Sequence, residues 1–281
     1  MVLDDERIAV IGCGTMGEAI VKGLLRNDLI GAEKLAISHP RPERRAELVE
    51  RYGVGAHADN GEAARRRSLI VLAVKPQFLD DVVGNLAGNI DEGATVVTIV
   101  AGLRMDVAAR RFSTPKVVRA MPNTPAQLGM GITVWTARSD VDAAERAKVR
   151  SFLSALGEEE FVTHENELDM ATALSGTGPA YAFMFMEAMV DAGVHMGLSR
   201  RVAFRLVIET LRGSVEYASR TPDHLAKLRN QVTSPGGTTA DACYELEKGR
   251  LRTVVSDAIW AAFRRCKQLG RQEPADPAFR G

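Results

Sequence analysis

The chain has no excess of either charge: 36 lysines and arginines balance 36 aspartates and glutamates over 281 residues. No global field therefore draws it to nucleic acid or to an anionic membrane surface. Its basic runs, Arg65-Arg66-Arg67 and Arg264-Arg265, read as solvated helix faces. Cysteine is equally scarce. Cys13, Cys243 and Cys266 form no C-x-x-C pair and have no paired histidines, which argues against a zinc site or a disulfide framework and fits a reducing cytoplasm. No apolar run is long enough to span a bilayer, and the acidic residues 1–7 do not resemble a signal peptide. The expectation is a cytoplasmic protein with no metal, nucleic-acid or membrane partner.

A chain of 281 residues can bury a substantial core and suits two domains better than one. The first opens with Ile8-Ala9-Val10-Ile11, a short apolar run of the kind that forms a buried parallel strand. Gly12-Cys13-Gly14-Thr15-Met16-Gly17 follows, with glycines at the G-x-G-x-x-G positions, and a helix from Glu18 to Arg26 comes next. Between a strand and a helix this triplet specifies a dinucleotide loop. It supplies a tight turn, backbone close to a pyrophosphate, and helix N-terminal amides facing negative charge. Cys13 reads as a small residue of that loop.

The second strand, Lys34-Leu35-Ala36-Ile37, ends in Ser38-His39-Pro40-Arg41, where an NAD-specific protein usually offers a carboxylate to the adenosine ribose. None is present. Serine, histidine and arginine suit a 2′-phosphate, which favours NADPH, with NADH as the second choice. The alternative is that Arg41 and Arg44 are plain surface charges. Strands over 69–74, 94–100 and 116–120 then deliver Lys75-Pro76-Gln77, Ala101-Gly102 and Met121-Pro122-Asn123-Thr124-Pro125 to one sheet edge. Ligands of open parallel sheets sit at that edge, so Lys75 reads as a cofactor contact or else as a solvated lysine. Asn123 reads as a polar bridge or a turn residue. A strand at 132–135, a helix over 140–156 and a strand at 159–162 complete an alternating domain ending near residue 165.

From 166 to 271 the pattern is helical, and the tail 272–281, with two prolines, reads as disordered. Ser175-Gly176-Thr177-Gly178-Pro179 interrupts the first helix. The helix that restarts there runs through His195, which reads as a helix-end histidine, and carries Phe183-Met184-Phe185-Met186. It is apolar on nearly every face, so it should be buried all round. A small helical domain cannot supply that cover alone, and a homodimer through this domain is expected.

Val232-Thr233-Ser234-Pro235-Gly236-Gly237-Thr238-Thr239 is a run that core packing does not explain. A proline and two glycines end an element and let backbone approach a ligand, while Thr238-Thr239-Ala240-Asp241 opens a helix. Thr238 with Asp241 fits the T-x-x-D capping pattern, which commits Thr238 to the helix end and leaves Thr239 for a ligand.

These motifs occur together with Ala73-Val74-Lys75-Pro76, Arg119-Ala120-Met121-Pro122-Asn123-Thr124-Pro125 and Ser175-Gly176-Thr177-Gly178-Pro179-Ala180-Tyr181. In that order and spacing the chain resembles the pyrroline-5-carboxylate reductase family over residues 7–270. The resemblance implies an α/β N-terminal Rossmann-type dinucleotide-binding domain followed by an all-α dimerisation domain, often assembled as a decamer built from dimers. It implies reduction of 1-pyrroline-5-carboxylate to L-proline with NAD(P)H, the last step of proline synthesis.

Carried over residue by residue, the resemblance puts cofactor contacts on Ile11, Gly12, Cys13, Gly14, Thr15, Met16, Ser38, Asn60, Ala73, Val74, Lys75, Pro76 and Ala101. The loop pattern adds Gly17, and the charge argument adds Arg41. The small-molecule substrate falls on Ser234, Gly236, Gly237, Thr238 and Thr239. Thr221-Pro222-Asp223-His224 departs from the His-Pro pair and glutamate of many relatives.

The chemistry expected is hydride transfer to the C=N carbon. Glycine amides at a helix N-terminus would anchor the substrate carboxylate, and the Thr239 hydroxyl, as the catalytic candidate, would hydrogen-bond the ring nitrogen. Two other readings differ in class. A hydroxyacid dehydrogenase or other imine reductase would share the first half, but the former needs a catalytic lysine on a second-domain helix, and Lys227, Lys248 and Lys267 lack that context. A non-catalytic NADP-binding sensor would have no need of the hydroxyl-rich loop.

Overall fold

The computed structural model describes residues 3–86 and 88–271. The chain alternates β1 (Ile8–Ile11), α1 (Thr15–Arg26), β2 (Leu35–Ser38), α2 (Pro42–Tyr52), β3 (Gly55–His57) and α3 (Asn60–Ala64). It continues through β4 (Leu69–Leu72), α4 (Leu79–Leu86), β5 (Thr95–Thr98), α5 (Met105–Phe112) and β6 (Val117–Pro122). Then come β7 (Gly131–Ala137), α6 (Ala143–Ser154), β8 (Gly157–Phe161) and α7 (Glu165–Ala171). The remainder is helical: α8 (Gly178–His195), α9 (Arg200–Arg220), α10 (Leu225–Gln231), α11 (Thr238–Lys248) and α12 (Leu251–Arg271).

One sheet has the strand order β3-β2-β1-β4-β5-β6-β7-β8. Strands β1 to β6 are parallel, so helices cover both faces and the inner strands are apolar at almost every position. Successive residues of β1 enter opposite cores. Ile8 and Val10 pack with Ile20, Leu24 and Phe152 on one face, while Ala9 and Ile11 pack with Leu86 and Phe112 on the other. Each such aliphatic side chain contributes roughly 1.5–3 kcal/mol on full burial, which fixes the height at which β1 releases the glycine loop.

The alternation read from sequence does not make every strand parallel. β7 runs antiparallel to β6, with Ala120 opposite Trp135, and β8 pairs parallel to β7. The segment between β6 and β7 is too short for the crossover that a parallel pair requires. β8 is the sheet edge, and its Glu158 and Glu160 lie on the more exposed positions, as edge strands tend to arrange.

The described residues pack as two units. One runs to Thr177 and takes back the chain from Ala262; the other spans Gly178–Ala261. The expected division into 1–165 and 166–271 differs at both ends. Helix α7 belongs with the sheet because Arg119 of β6, 3% exposed, pairs with both Glu165 (3.1 Å) and Asp169 (2.8 Å). Cys266 of α12 donates to that same Asp169 at 3.4 Å. The expected disordered tail, 272–281, lies outside the described residues.

The Ser175–Pro179 break is a wide, π-type turn over Thr172–Gly176, closed where Thr177 N–H donates to Thr172 O at 2.8 Å. Beyond it, α8 and α9 meet around Val190, Ala203 and Val207, with Gly193 allowing close approach to Ala203. Ser199 caps α9 by accepting from Val202 N–H. The sequence called for more cover on α8 than its own domain could supply, and within one chain Phe183 is 60% and Met184 70% exposed. Only Val190 and Gly193 of α8 are buried, so its apolar surface is not covered by its own domain. His195 ends α8 as expected and is exposed.

Candidate active site

Where β1 ends, Gly12 takes φ +81°, and a Cβ there would come within 2.2 Å of Val74 Cγ1. Only glycine passes between the two strand ends. The turn is held by Gly12 N–H and Cys13 N–H, both donating to Ser38 O, at 3.2 and 2.9 Å. Gly14 is different. Its backbone is extended and a Cβ would meet nothing closer than Gly12 O at 4.0 Å, so the space it leaves is open to a ligand. Helix α1 starts at Thr15, earlier than the Glu18 read from sequence, and its first-turn amides have no intrahelical acceptor.

A cavity of about 480 Å³ opens at this point, large enough for a nucleotide. Gly12, Gly14, Ser38, Asn60, Ala73, Val74 and Lys75 line it, as expected of cofactor contacts. Ile11, Cys13, Thr15, Met16, Gly17, Arg41, Pro76 and Ala101 do not line it. Ile11 and Cys13 are fully buried in the two cores, which rules out a side-chain contact from either. Burial pushes the Cys13 thiol up to about 12, and it is inert at neutral pH. Pro76 and Ala101 instead line a neighbouring cavity of about 160 Å³.

Ser38 also changes role. It is fully buried, accepts from Gly12 N–H and donates its hydroxyl to Asn60 Oδ1 at 2.7 Å, so it braces the glycine loop rather than presenting a free donor. That leaves His39 and Arg41 at the end of β2. His39 lines the cavity, and its Nδ1 accepts from Arg41 N–H at 3.2 Å, which puts the ring proton on Nε2. Burial first, then the charges of Arg41, Arg44 and Arg45, hold its pKa below the usual histidine value. The ring is a neutral N–H donor.

Arg44 is committed to Glu18 and Glu47, and Arg45 to the carbonyls of His39 and Pro40. Arg41 has no side-chain partner among the described residues and stands exposed beside the cavity mouth. Lys75 is likewise exposed and unpaired on the opposite rim. No carboxylate stands at the end of β2, the chemistry a 2′-phosphate requires. The residues present therefore fit an NADP cofactor.

Sequence reasoning missed Ala58, Phe78, Asp81, Val82 and Asn85, which with Pro40 complete the lining. Val82 and Asn85 lie on α4 at helical spacing from Phe78, which ends the short turn just before that helix, a pattern that was available past Gln77. Ala58 follows a three-residue strand, Gly-Ala-His, too short to show a period. Asn123 does bridge: it accepts from Ile132 N–H at 3.0 Å and donates to Ser175 O at 3.3 Å.

The residues assigned to substrate lie in the second unit, where α10 ends and α11 begins. Gly236 takes φ +69° and Gly237 packs against Ser234, whose Oγ would be 2.4 Å from a Cβ there. Two expectations are corrected. Gly237, not Thr238, is the N-cap of α11, and no side chain caps the helix, so Thr238 sits at its first position with an uncommitted hydroxyl. The Gly237 N–H is committed, donating to Ser234 O at 3.1 Å. The amides of Gly236, Thr238 and Thr239 have no acceptor among the described residues. With the hydroxyls of Ser234, Thr238 and Thr239 they form an anion-receptive turn at the N-terminus of an 11-residue helix. Among the described residues no cluster of histidine, cysteine and carboxylate could hold a metal ion.

Comparison with known proteins decides the family. Residues 165–269 match the family described as pyrroline-5-carboxylate reductase dimerisation, and residues 7–102 match NADP oxidoreductase coenzyme F420-dependent. The pyrroline-5-carboxylate reductase of Synechocystis is 38% identical over 95% of this chain and 99% of its own. The chain belongs to the pyrroline-5-carboxylate reductase family. The Escherichia coli reductase is 33% identical over 95% of this chain and 99% of its own. A crystal structure of Plasmodium falciparum pyrroline carboxylate reductase with NADP bound superposes with a TM-score of 0.87 at 30% identity, covering 95% and 99% of the two chains. A second, from Coxiella burnetii, gives 0.85 at 32% identity, covering 95% and 100%. The family's dimerisation region contains the helices whose apolar faces are open here, α8 among them. No helix among the described residues is long and apolar enough to cross a membrane.

Proposed function

We propose that the chain reduces the C=N bond of 1-pyrroline-5-carboxylate to give L-proline, with NADPH as the preferred reductant. The observation that carries this reading is the match to reductases of that name along nearly the whole length of both chains. The lining of the glycine-loop cavity supports it. Bound there, the reduced nicotinamide would supply the hydride that the imine carbon accepts.

The remaining work falls to the chain's own groups. The amides at the start of α1 face the pyrophosphate, while Arg41 and the neutral His39 ring suit the 2′-phosphate. In the second unit, the free amides of Gly236 and Thr238 suit the substrate carboxylate. Thr239 orients and polarises the ring nitrogen, which must carry one proton for the product to be a neutral secondary amine. An ordinary threonine hydroxyl is too weak an acid to be the source of that proton, so its contribution is positioning.

Dimers formed through the helical domain would assemble further into a decamer. The free state of all three cysteines supports a reducing, cytoplasmic location. The test is a spectrophotometric assay of cofactor oxidation with pyrroline-5-carboxylate, proline being identified as the product. The expected result is turnover with kcat/KM higher for NADPH than for NADH. Cofactor binding without turnover would refute the enzymatic reading, and an NADH preference would refute the reading of His39 and Arg41.

A further inference from the structure

The loop that follows β5, residues 101–104, lies at the carboxyl edge of the parallel sheet, on the far side of β4 from the adenosine-binding strand β2. A dinucleotide whose pyrophosphate rests on the glycine loop extends its nicotinamide half over this side of the crevice. Nothing in the loop's own sequence makes it rigid. Its support comes from two helices, α12, which the sequence placed in the other domain, and α7, which it split at residue 165.

The first support is at its end. Glu165 of α7 accepts from Met105 N–H at 2.8 Å and pairs with Arg104 at 3.7 Å, while the buried Arg119 holds the same carboxylate at 3.1 Å. The second is at its start. Gly102 takes φ +79°, and a Cβ there would lie 3.1 Å from both Gly270 N and Leu269 C; a Cβ on Gly270 would lie 3.2 Å from Gly102 O. Two backbones are therefore in direct contact, loop against the last turn of α12. One turn earlier, Cys266 joins the helix to Asp169 and so to the same Arg119.

From this geometry we infer that Glu165 and Gly270 are positioning residues for the nicotinamide half of the cofactor, acting through the 101–104 loop. They fix where the hydride donor sits and have no part in binding the adenosine half. The inference rests on the NADPH reading above. Gly270→Ala makes a helix-favouring change whose methyl must push the Gly102 carbonyl by a few tenths of an ångström. Glu165→Gln keeps an acceptor for Met105 N–H and removes the charge that faces Arg119 and Arg104.

The experiment measures, for the full-length enzyme and each variant, kcat and KM with NADPH. It also measures the dissociation constant of adenosine 2′,5′-bisphosphate, which occupies the adenosine half alone. The expected result is a fall in kcat/KM of roughly tenfold, as a small misplacement of reacting groups produces, with bisphosphate affinity within about twofold of wild type. Equal losses in both measurements, or no loss in either, would overturn the inference. Absence of wild-type turnover with bisphosphate binding intact is a separate failure, that of the reductase reading, and the inference would fall with it.

Discussion

Gly12 and Gly14 are two residues apart, and the structure assigns them opposite liabilities. Gly12→Ala places a methyl at φ +81°, 2.2 Å from Val74 Cγ1. The left-handed conformation costs a non-glycine residue about 1–2 kcal/mol. Forcing the methyl against a stiff valine adds about 1–3 kcal/mol of overpacking. The sum, roughly 2–5 kcal/mol, lowers the melting temperature by on the order of 10 °C in a protein of this size. Gly14→Ala carries neither penalty, because its φ is −79° and its methyl meets only Gly12 O at 4.0 Å. Its melting temperature should stay close to that of the wild type. Its methyl nevertheless occupies the space through which a pyrophosphate would reach the α1 amides, so NADPH affinity should fall by at least tenfold. Thermal melts and NADPH titration by fluorescence separate the two effects. A Gly14→Ala protein that binds NADPH as tightly as wild type refutes the placement of the cofactor in this cavity.

Three further outcomes are expected. Thr239→Ala removes one neutral hydrogen bond, worth about 0.5–1.5 kcal/mol, and should lower kcat/KM for pyrroline-5-carboxylate by roughly three- to tenfold; an unchanged value removes Thr239 from the mechanism. Met184→Glu puts a charge on the uncovered face of α8. Loss of roughly 1.5–3 kcal/mol of apolar burial should convert the dimer to monomer at micromolar concentration, and sedimentation identical to wild type refutes that face as the interface. Burial pushes the Glu18 carboxyl upward, but hydrogen bonds from Arg44, Tyr52 and Arg51 outweigh it and hold the group below its ordinary 4.5. Its contribution to stability is therefore present above pH 4.5 and is lost as pH falls through the lower folded value. Glu18→Gln should show a shallower acid decline in urea midpoint than wild type, and parallel declines refute the assignment.

Much of the first unit could be read directly. The run Ile8–Ile11 has the composition of a strand covered on both faces, and the glycine triplet after it leaves a single plausible geometry. The opening of α11 at Thr238 was legible because two glycines precede it. The readings that failed depended on partners far away in sequence. Ser38 looked like a free hydroxyl until Asn60, 22 residues on, accepted its hydrogen bond. Gly237 looked like an open amide until its turn closed on Ser234. The α8 stripe was read as apolar and in need of cover from a second copy, and its exposure within one chain agrees with that reading.

The sequence by itself determined the alternation of the longer strands with helices, the position of the glycine loop, the lack of an acid at the end of β2 and the family. These are local properties: hydrophobic period, backbone permissiveness and side-chain charge at fixed offsets along the chain. Only the tertiary structure decided that β7 reverses, and that Arg119 gathers α7 and the end of α12 into the dinucleotide-binding unit. It also decided that glycines 102 and 270 meet. Each is a pairing across a long stretch of chain, set by which buried donor finds which acceptor and which backbones can touch. No local preference encodes such a choice.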